Sequence, residues 1–213
     1  MSSQQASCLL RYGLYQPGES VFRNGRKSPY TVRLPDICPK EMYSCLAESA
    51  WSLKQLDSLN EVHCIGIANS GILLATAIHE YGLGLGRRLQ YSIVQPRAAE
   101  QEVHIFEKRM TPVLVDNAVT TGKTVAKVLT FLRHLPQRPR HVIRIFDRED
   151  LGEDGLSTAE RLKADLDIDL ISIFLLRDLL PFLDAGECQA ILDYQSIHGT
   201  NSFKEWIGGR DVL

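Results

Sequence analysis

The sequence lacks the features that mark membrane proteins, secreted proteins and large nucleic-acid binders. No run in its 213 residues approaches the roughly 20 apolar residues that a membrane-spanning helix needs. The first residues show no charged head followed by a long apolar stretch, so we expect no signal peptide. With 24 Lys+Arg against 26 Asp+Glu, the chain has no basic excess for a large nucleic-acid surface. We therefore expect a cytoplasmic protein with neither membrane nor nucleic acid as a partner.

The cysteines are few and are not arranged as a metal site or a disulfide framework. There are five, an odd number, and no two are spaced as CxxC: Cys8, Cys38, Cys45, Cys64 and Cys188. This pattern is typical of reduced thiols in a cytosolic protein. An ordinary hydrophobic fraction of 44% and the absence of repeats or long linkers predict a single domain over residues 1–213.

Short apolar runs alternate with segments of helical periodicity along most of the chain. The runs predict strands at 62–67, 89–94, 112–115, 141–146 and 169–175. The periodic segments predict helices at 39–59, 72–81 (closed by Gly82), 122–135, 158–166, 177–183 and 187–194. Alternation of this kind, with nearly all-apolar strands, predicts an α/β fold with a parallel sheet covered on both faces. In such sheets ligands bind at the carboxyl ends of the strands.

The most informative segment is PVLVDNAVTTGKT, residues 112–124. A buried strand ends at Asp116, and a loop of small and hydroxyl residues then opens a helix. The N-terminus of a helix offers free backbone N–H groups and a positive dipole end, which together bind phosphate. Asp116 and Asn117 are placed to hydrogen-bond a sugar diol. The segment therefore predicts a site for ribose 5-phosphate.

The glycine-containing segments allow three other interpretations. Residues 122–124 resemble the end of a Walker A loop, but that motif requires glycine at the position of Asn117. The glycines at 82, 84 and 86 follow a helix rather than a strand, so a helix cap and turn is favoured over a dinucleotide fingerprint. An ordinary strand-to-helix turn with a threonine cap is the simplest alternative for residues 112–124.

Four segments together resemble the type I phosphoribosyltransferases, and orotate phosphoribosyltransferase in particular. Residues 112–124 resemble the family's signature for phosphoribosyl pyrophosphate (PRPP). The orotate-type resemblance is carried by FRNGRKSPY at 22–30, IGIANSGI at 65–72 and FDRE at 146–149. Residues 171–183 then resemble the family's closing strand and helix. The match runs in order over residues 18–185, which is most of the chain.

The resemblance implies a fold, a reaction and partners. The implied fold is a type I phosphoribosyltransferase-like parallel sheet flanked by helices, with a small N-terminal hood and helix at about 1–60 and a core at about 61–185. The implied reaction moves the 5-phosphoribosyl group from PRPP to orotate, giving orotidine 5′-monophosphate and pyrophosphate. It also implies Mg²⁺, bound mainly through PRPP or pyrophosphate, and a homodimer.

The resemblance also implies roles for individual residues. PRPP would be bound by Asp116, Asn117, Ala118, Val119, Thr120, Thr121, Gly122, Lys123 and Thr124. Pyrophosphate would be bound by Arg23, Ala68, Asn69, Ser70 and Gly71, and the carboxylate of orotate by Arg148. The candidate catalytic residues are Asp116, Arg97 and His104. No side chain is predicted to be a dedicated metal ligand.

The chain departs from the family in the loop that carries its catalytic cations. The family loop contains Arg-Lys-x-x-Lys-Asp-His, whereas residues 95–104 here read QPRAAEQEVH, with one arginine, no lysine and two acids. Asn117 also replaces the second acid of the PRPP signature, and Thr31 and Val32 stand where aromatic residues are common. Because one preorganised transition-state donor contributes about 3–4 kcal/mol, we expect slow transfer to orotate. Two alternatives stay open: transfer to another base, and a regulatory protein that binds PRPP or a nucleotide without turnover.

Overall fold

The computed structural model describes residues 3–22, 25–35, 38–95 and 109–209 of the chain. Its elements in chain order are α1 (Ser3–Arg11), β1 (Tyr15–Val21), β2 (Lys27–Val32), α2 (Lys40–Trp51), α3 (Lys54–Asp57), β3 (Glu61–Ile67), α4 (Gly71–Gly84), β4 (Arg88–Val94), β5 (Thr111–Val115), α5 (Lys123–Phe131), β6 (His141–Asp147), α6 (Thr158–Leu166), β7 (Asp169–Leu175), α7 (Leu176–Leu179), α8 (Ala185–His198) and α9 (Asn201–Gly208). Single 3₁₀ turns follow α5 and α7. Across the described ranges, none of the helices combines the length and apolarity that a bilayer crossing requires.

Five strands form one parallel sheet in the order β4-β3-β5-β6-β7. β3 pairs along its whole length with β4, from Glu61 opposite Arg88 to Ile67 opposite Val94. On its other side β3 pairs with β5, which in turn pairs with β6. All five predicted strands and the predicted parallel sheet are therefore confirmed, with shifts of one residue at some strand ends.

Helices cover both faces of the sheet because alternate residues of the central strands point to opposite sides. Ile65 and Ile67 of β3 lie in the buried apolar cluster that includes α5 and Leu162 of α6. Gly66, between them, faces α4, where a Cβ added to it would lie 3.1 Å from Cβ of Ala75. The layers place the carboxyl ends of β3 and β5 next to the N-termini of α4 and α5.

The chain divides into two compact units. One comprises residues 40–145 and 158–173 and contains the sheet just described except for the last two residues of β6 and of β7. The other comprises residues 1–39, 146–157 and 174–213. In this second group β1 and β2 form an antiparallel hairpin, α8 packs beside β2, and α1 packs beside α7. The hairpin and α1 belong to the region that the resemblance described as an N-terminal hood.

Several predicted helix boundaries were wrong. The helix predicted at 39–59 is interrupted between α2 and α3, because Leu53 has an extended backbone (φ −75°, ψ 127°). Leu53 is the N-cap residue of α3. Gly82 was predicted to close its helix, but α4 continues to Gly84. A Cβ on Gly82 would lie 2.5 Å from Cζ2 of Trp51, so this glycine permits close packing instead.

Candidate functional site

Asp116 lies directly after β5, at the carboxyl edge of the sheet, and is only 6% exposed. Its carboxylate accepts hydrogen bonds from the backbone N–H of Asn117 at 2.8 Å and from the hydroxyl of Ser70. Burial raises the pKa of the Asp116 carboxyl, and the hydrogen bonds from Ser70, Asn117 and Ala118 oppose that rise. Asp116 is thus an internally bonded acid rather than a solvated one.

The segment after Asp116 alternates exposed and anchored residues. Ala118, Thr120, Thr121, Lys123 and Thr124 are exposed, while Val119 and Gly122 are buried. Gly122 has φ +72°, and a Cβ there would lie 2.6 Å from Cδ2 of Leu162. Both the positive φ and the lack of space favour glycine at the point where α5 begins.

Two side chains outside this segment hold its carbonyl groups. Arg144, a buried arginine of β6, donates from Nη1 to the carbonyl oxygen of Val119 at 2.9 Å. Thr158, the first residue of α6, donates from Oγ1 to the carbonyl oxygen of Thr120 at 2.8 Å. Because C=O and N–H of a trans peptide point in opposite directions, the N–H groups of Thr120 and Thr121 point away from these anchors. This is the arrangement that an anion needs.

The segment 68–71 connects β3 to α4 and lies beside Asp116. The peptide bond between Ala68 and Asn69 is cis, and the N–H of Ala68 donates to the carbonyl of Val94 at 2.8 Å. Asn69 and Ser70 are exposed. A Cβ on Gly71 would lie 2.0 Å from the carbonyl oxygen of Val115, so only glycine lets α4 begin this close to β5. The structure therefore brings the predicted pyrophosphate and ribose segments together.

Arg148 follows β6 by one residue, and its side chain is 21% exposed. Its guanidinium carbon lies 4.0 Å from the ring centroid of Tyr30 and 4.5 Å from that of Phe22. Nη2 donates to Oγ of Ser28 at 2.5 Å, and Nε donates to Oδ2 of Asp150 at 3.2 Å. The guanidinium is thus held between aromatic rings by polar contacts on two edges.

Asp150 serves a second arginine as well. Nη2 of Arg26 lies 3.0 Å from the same Oδ2, and Nη1 of Arg26 donates to the carbonyl of Leu151 at 3.0 Å. Two guanidinium groups around one carboxylate leave a surplus of positive charge beside aromatic rings. A planar anion suits such a surface, because guanidinium groups bind carboxylates with directed N–H donors.

Sequence reasoning missed the supporting residues Arg144, Thr158 and Asp150. Their hydrogen-bond partners are distant in the chain or lie on another element, so periodicity carries no trace of them. A partial signal existed, since Asp150 stands two residues after Arg148. The predicted residues Arg23, Arg97 and His104 lie outside the described residues, as does most of the loop 95–104.

The side-chain oxygen atoms near the end of β5 suit a hard cation that takes most of its ligands from a bound phosphate compound rather than from the protein. Within the described ranges, no group of three or more His, Cys, Asp or Glu side chains is arranged to hold a metal. Oδ1 of Asn117 is buried and has no hydrogen-bond partner among the described residues, and the Asp116 carboxylate lies next to it in sequence. These donors fit Mg²⁺ that is bound chiefly through the phosphates of a ligand.

The chain is similar to curated and structurally characterised orotate phosphoribosyltransferases. No family model matches the chain. An orotate phosphoribosyltransferase of Acinetobacter baylyi is 26% identical over 204 residues, covering 89% of this chain and 92% of the relative. The crystal structure of orotate phosphoribosyltransferase from Francisella tularensis has a TM-score of 0.76 at 19% identity, covering 91% of this chain and 98% of that one. The Mycobacterium tuberculosis enzyme in complex with PRPP has a TM-score of 0.51 at 18% identity, covering 66% and 77%.

These similarities confirm the predicted resemblance and fold class. The chain has an α/β fold of the type I phosphoribosyltransferase kind, and among those proteins it is most similar to orotate phosphoribosyltransferases. At 19% identity, the similarity to the Francisella structure shows the fold and not the activity. The chemistry must be argued from the site.

Proposed function

We propose that this protein transfers the 5-phosphoribosyl group of PRPP to orotate, forming orotidine 5′-monophosphate and pyrophosphate. The observation that carries the proposal is the hydrogen bond from Ser70 to Asp116. It joins the loop proposed to bind pyrophosphate to the acid proposed to bind ribose, at adjacent strand ends. A sugar 1-pyrophosphate needs this adjacency, because its leaving group is attached to the ribose ring itself.

The exposed part of the 118–124 segment is proposed to bind the 5′-phosphate. The N–H groups of Thr120 and Thr121, the hydroxyls of the exposed threonines and the start of α5 supply the donors. Asp116 and Asn117 are proposed to hold the ribose hydroxyls. Fixing both ends of the sugar leaves C1 in a defined position for attack, and positioning of this kind lowers the barrier entropically.

At C1, the bond to pyrophosphate oxygen breaks and its electron pair stays with pyrophosphate. A ring nitrogen of orotate supplies the electron pair of the new C1–N bond and releases its proton to water. Positive charge develops on the ribose ring and negative charge on the departing group. The N–H groups of residues 69–71 are proposed to stabilise that negative charge, with Arg23 as an additional cation. The N–H of Ala68, which was also predicted to bind pyrophosphate, is already bonded to the carbonyl of Val94. Mg²⁺, when bound, supplies positive charge to the phosphate oxygens, and Asp116 and Asn117 are the side chains proposed to hold it.

Arg148 is proposed to bind the carboxylate of orotate. Its described hydrogen bonds use Nε and one hydrogen on each terminal nitrogen, with Nη1 lying 3.5 Å from the carbonyl oxygen of Tyr30. The two acceptors, Tyr30 O and Ser28 Oγ, lie 2.8 Å apart and so occupy the parallel pair of N–H bonds between the terminal nitrogens. The outward N–H of a terminal nitrogen is proposed to donate one charge-assisted hydrogen bond to the carboxylate. The surrounding aromatic rings favour a planar ligand.

A coupled assay for pyrophosphate release tests the proposal. PRPP and Mg²⁺ are supplied with orotate or with one of a panel of other bases. We expect orotate-dependent release, slow because the loop 95–104 lacks lysine. If pyrophosphate is released with a different base and not with orotate, that base is the acceptor and the orotate assignment is wrong.

The loop composition also favours a second candidate function, a regulatory protein that binds PRPP or a nucleotide without turnover. Such a sensor needs the phosphate-binding segment 118–124, but it does not need lysines in the loop 95–104 to stabilise a leaving group. Calorimetric binding of PRPP with no pyrophosphate release for any base would support the sensor and contradict transfer.

A further inference from the structure

The end of α8 holds the segment that contains Arg148. Gln195 is fully buried, and its Nε2 donates to the carbonyl oxygen of Arg148 at 2.8 Å and to Oδ1 of Asp150 at 2.8 Å. One side-chain amide therefore fixes both the backbone of Arg148 and the carboxylate that its guanidinium contacts.

Tyr194, the preceding residue, acts on the other oxygen of the same carboxylate. Its hydroxyl donates to Oδ2 of Asp150 at 2.9 Å, the atom that also accepts from Nε of Arg148. Burial, with the nearby Asp150, raises the pKa of Tyr194 to about 12, so the hydroxyl stays a donor at neutral pH. Both oxygens of Asp150 are thus oriented by adjacent residues of one helix.

The backbone after α8 reinforces this attachment. The N–H of Leu151 donates to the carbonyl of His198, and the N–H of Thr200 donates to the carbonyl of Glu149, each at 2.8 Å. A Cβ on Gly199 would lie 2.6 Å from Oε1 of Gln195, so the glycine leaves room for the buried amide. The chain from Arg148 to Leu151 is tied to residues 195–200.

We propose that Gln195 and Tyr194 are positioning residues that set the orientation of the Arg148 guanidinium through Asp150. The proposal rests on the proposed function only where it assigns the consequence, which is recognition of the orotate carboxylate. A charge-assisted N–H···O bond is strong only when it is short and nearly linear, so the orientation of the guanidinium determines affinity for a carboxylate. Helix α8 thereby contributes to selection of the acceptor base without touching it.

The first test needs no base and reports on Arg148 directly. Hydrogen exchange of the Arg148 Nε–H is measured by NMR, with the resonance assigned by its loss in Arg148→Lys. Gln195→Met keeps the length of the side chain but removes its amide, and Tyr194→Phe removes the hydroxyl. In each variant, exchange should accelerate about tenfold. A tenfold change corresponds to about 1.4 kcal/mol, which is the net free energy of one hydrogen bond. Gln189→Met, on the exposed side of α8, is the matched control and should leave exchange unchanged.

The second test reports on recognition. The KM for orotate should rise several-fold in Gln195→Met and Tyr194→Phe, while the KM for PRPP stays within about twofold of the wild type. The lost bonds hold Asp150 and Arg148 and none of the residues proposed to bind PRPP. Unchanged Nε–H exchange in Tyr194→Phe and Gln195→Met, or an equal rise in both KM values, would overturn the positioning role. If the wild type shows no orotate-dependent activity, the proposed function fails, and the exchange measurement alone decides the positioning role.

Discussion

Arg148 shows what a single side chain gains from residues far away in the sequence. Its position after an apolar strand was enough to single it out. Its contacts were not foreseeable, since Ser28 and Tyr30 lie 120 and 118 residues earlier in the chain. Local pattern reports which face of an element is apolar, but it does not report which loops meet.

Replacing Arg148 with alanine should weaken orotate binding far more than PRPP binding. The variant removes a charged donor, and a hydrogen bond to a charged group is worth about 1.5–3 kcal/mol. Titration calorimetry with each ligand measures the two affinities. Arg133→Ala, which removes an exposed arginine, is the control and should change neither. An equal loss of both ligands would indicate damage to the fold, and unchanged orotate affinity would rule out Arg148 as its carboxylate ligand.

His63 is a buried residue of β3 with no role in the proposed chemistry, and it links stability to pH. It is 1% exposed, and its Nε2 lies 2.7 Å from Oγ of Ser92. Burial lowers the pKa of His63 to about 4. Between about pH 6.5 and 4 the unfolded chain binds a proton here that the folded chain does not, so stability falls as pH falls through this window.

The predicted size of the effect is on the order of 3 kcal/mol between pH 7 and pH 4. It should be absent in His63→Leu and retained in Ser92→Ala, which keeps the titrating group. Urea denaturation at a series of pH values gives the free energy of unfolding for all three proteins. Parallel pH profiles of wild type and His63→Leu would show that His63 does not contribute.

At the scale of elements, buried strands and strand-flanking helices were the predictable part of the fold. Their apolar runs are long enough to show a period. By contrast α1, α9 and the β1–β2 hairpin were not predicted from periodicity. β1 has the sequence YQPGESV, with one buried residue among seven, so it carries no run of apolar residues to recognise. β1 is held by its pairing with β2 rather than by a local apolar pattern.

The start of α4 offers an element-scale prediction with a matched control. Gly71→Ala should destabilise the fold by about 1–3 kcal/mol, because its Cβ would overlap the carbonyl oxygen of Val115 and push the helix away from β5. The shift also moves Ser70 from Asp116, so PRPP affinity should fall. Gly84→Ala, at the other end of the helix, meets nothing within 4 Å and should be neutral or stabilise by up to about 0.5–1 kcal/mol.

Thermal and urea denaturation with PRPP titration separate these outcomes. Equal stability of the two variants would mean that α4 tolerates a side chain at its first residue. In that case the close approach of α4 to β5 would not explain the glycine.

At the scale of the whole molecule, 89% of the chain matches the Acinetobacter relative. The loop 95–104 is where we expect the chain to depart most from the resembled family. Pro96 and Ala99 lie near the positions expected for the loop lysines of the resembled family, and both are outside the described residues. Installing Pro96→Lys with Ala99→Lys should raise kcat, by up to roughly 10²-fold, more than it raises PRPP affinity. These charges act mainly as pyrophosphate departs.

The control for this gain is the pair Thr130→Lys and Gln137→Lys, which adds the same charge at exposed positions elsewhere. Steady-state kinetics compares the two double variants. A gain in affinity without a gain in kcat, or the same gain in the control, would contradict a leaving-group role for the loop.

The most direct test of phosphoribosyl transfer follows the ³¹P NMR spectrum of PRPP with Mg²⁺, orotate and the wild-type protein. The account predicts that the pyrophosphate signal and a nucleoside 5′-monophosphate signal grow in a one-to-one ratio, slowly, and only when orotate is present. Pyrophosphate without nucleotide would indicate hydrolysis instead of transfer. A PRPP spectrum that stays unchanged at high protein concentration would contradict the proposed function.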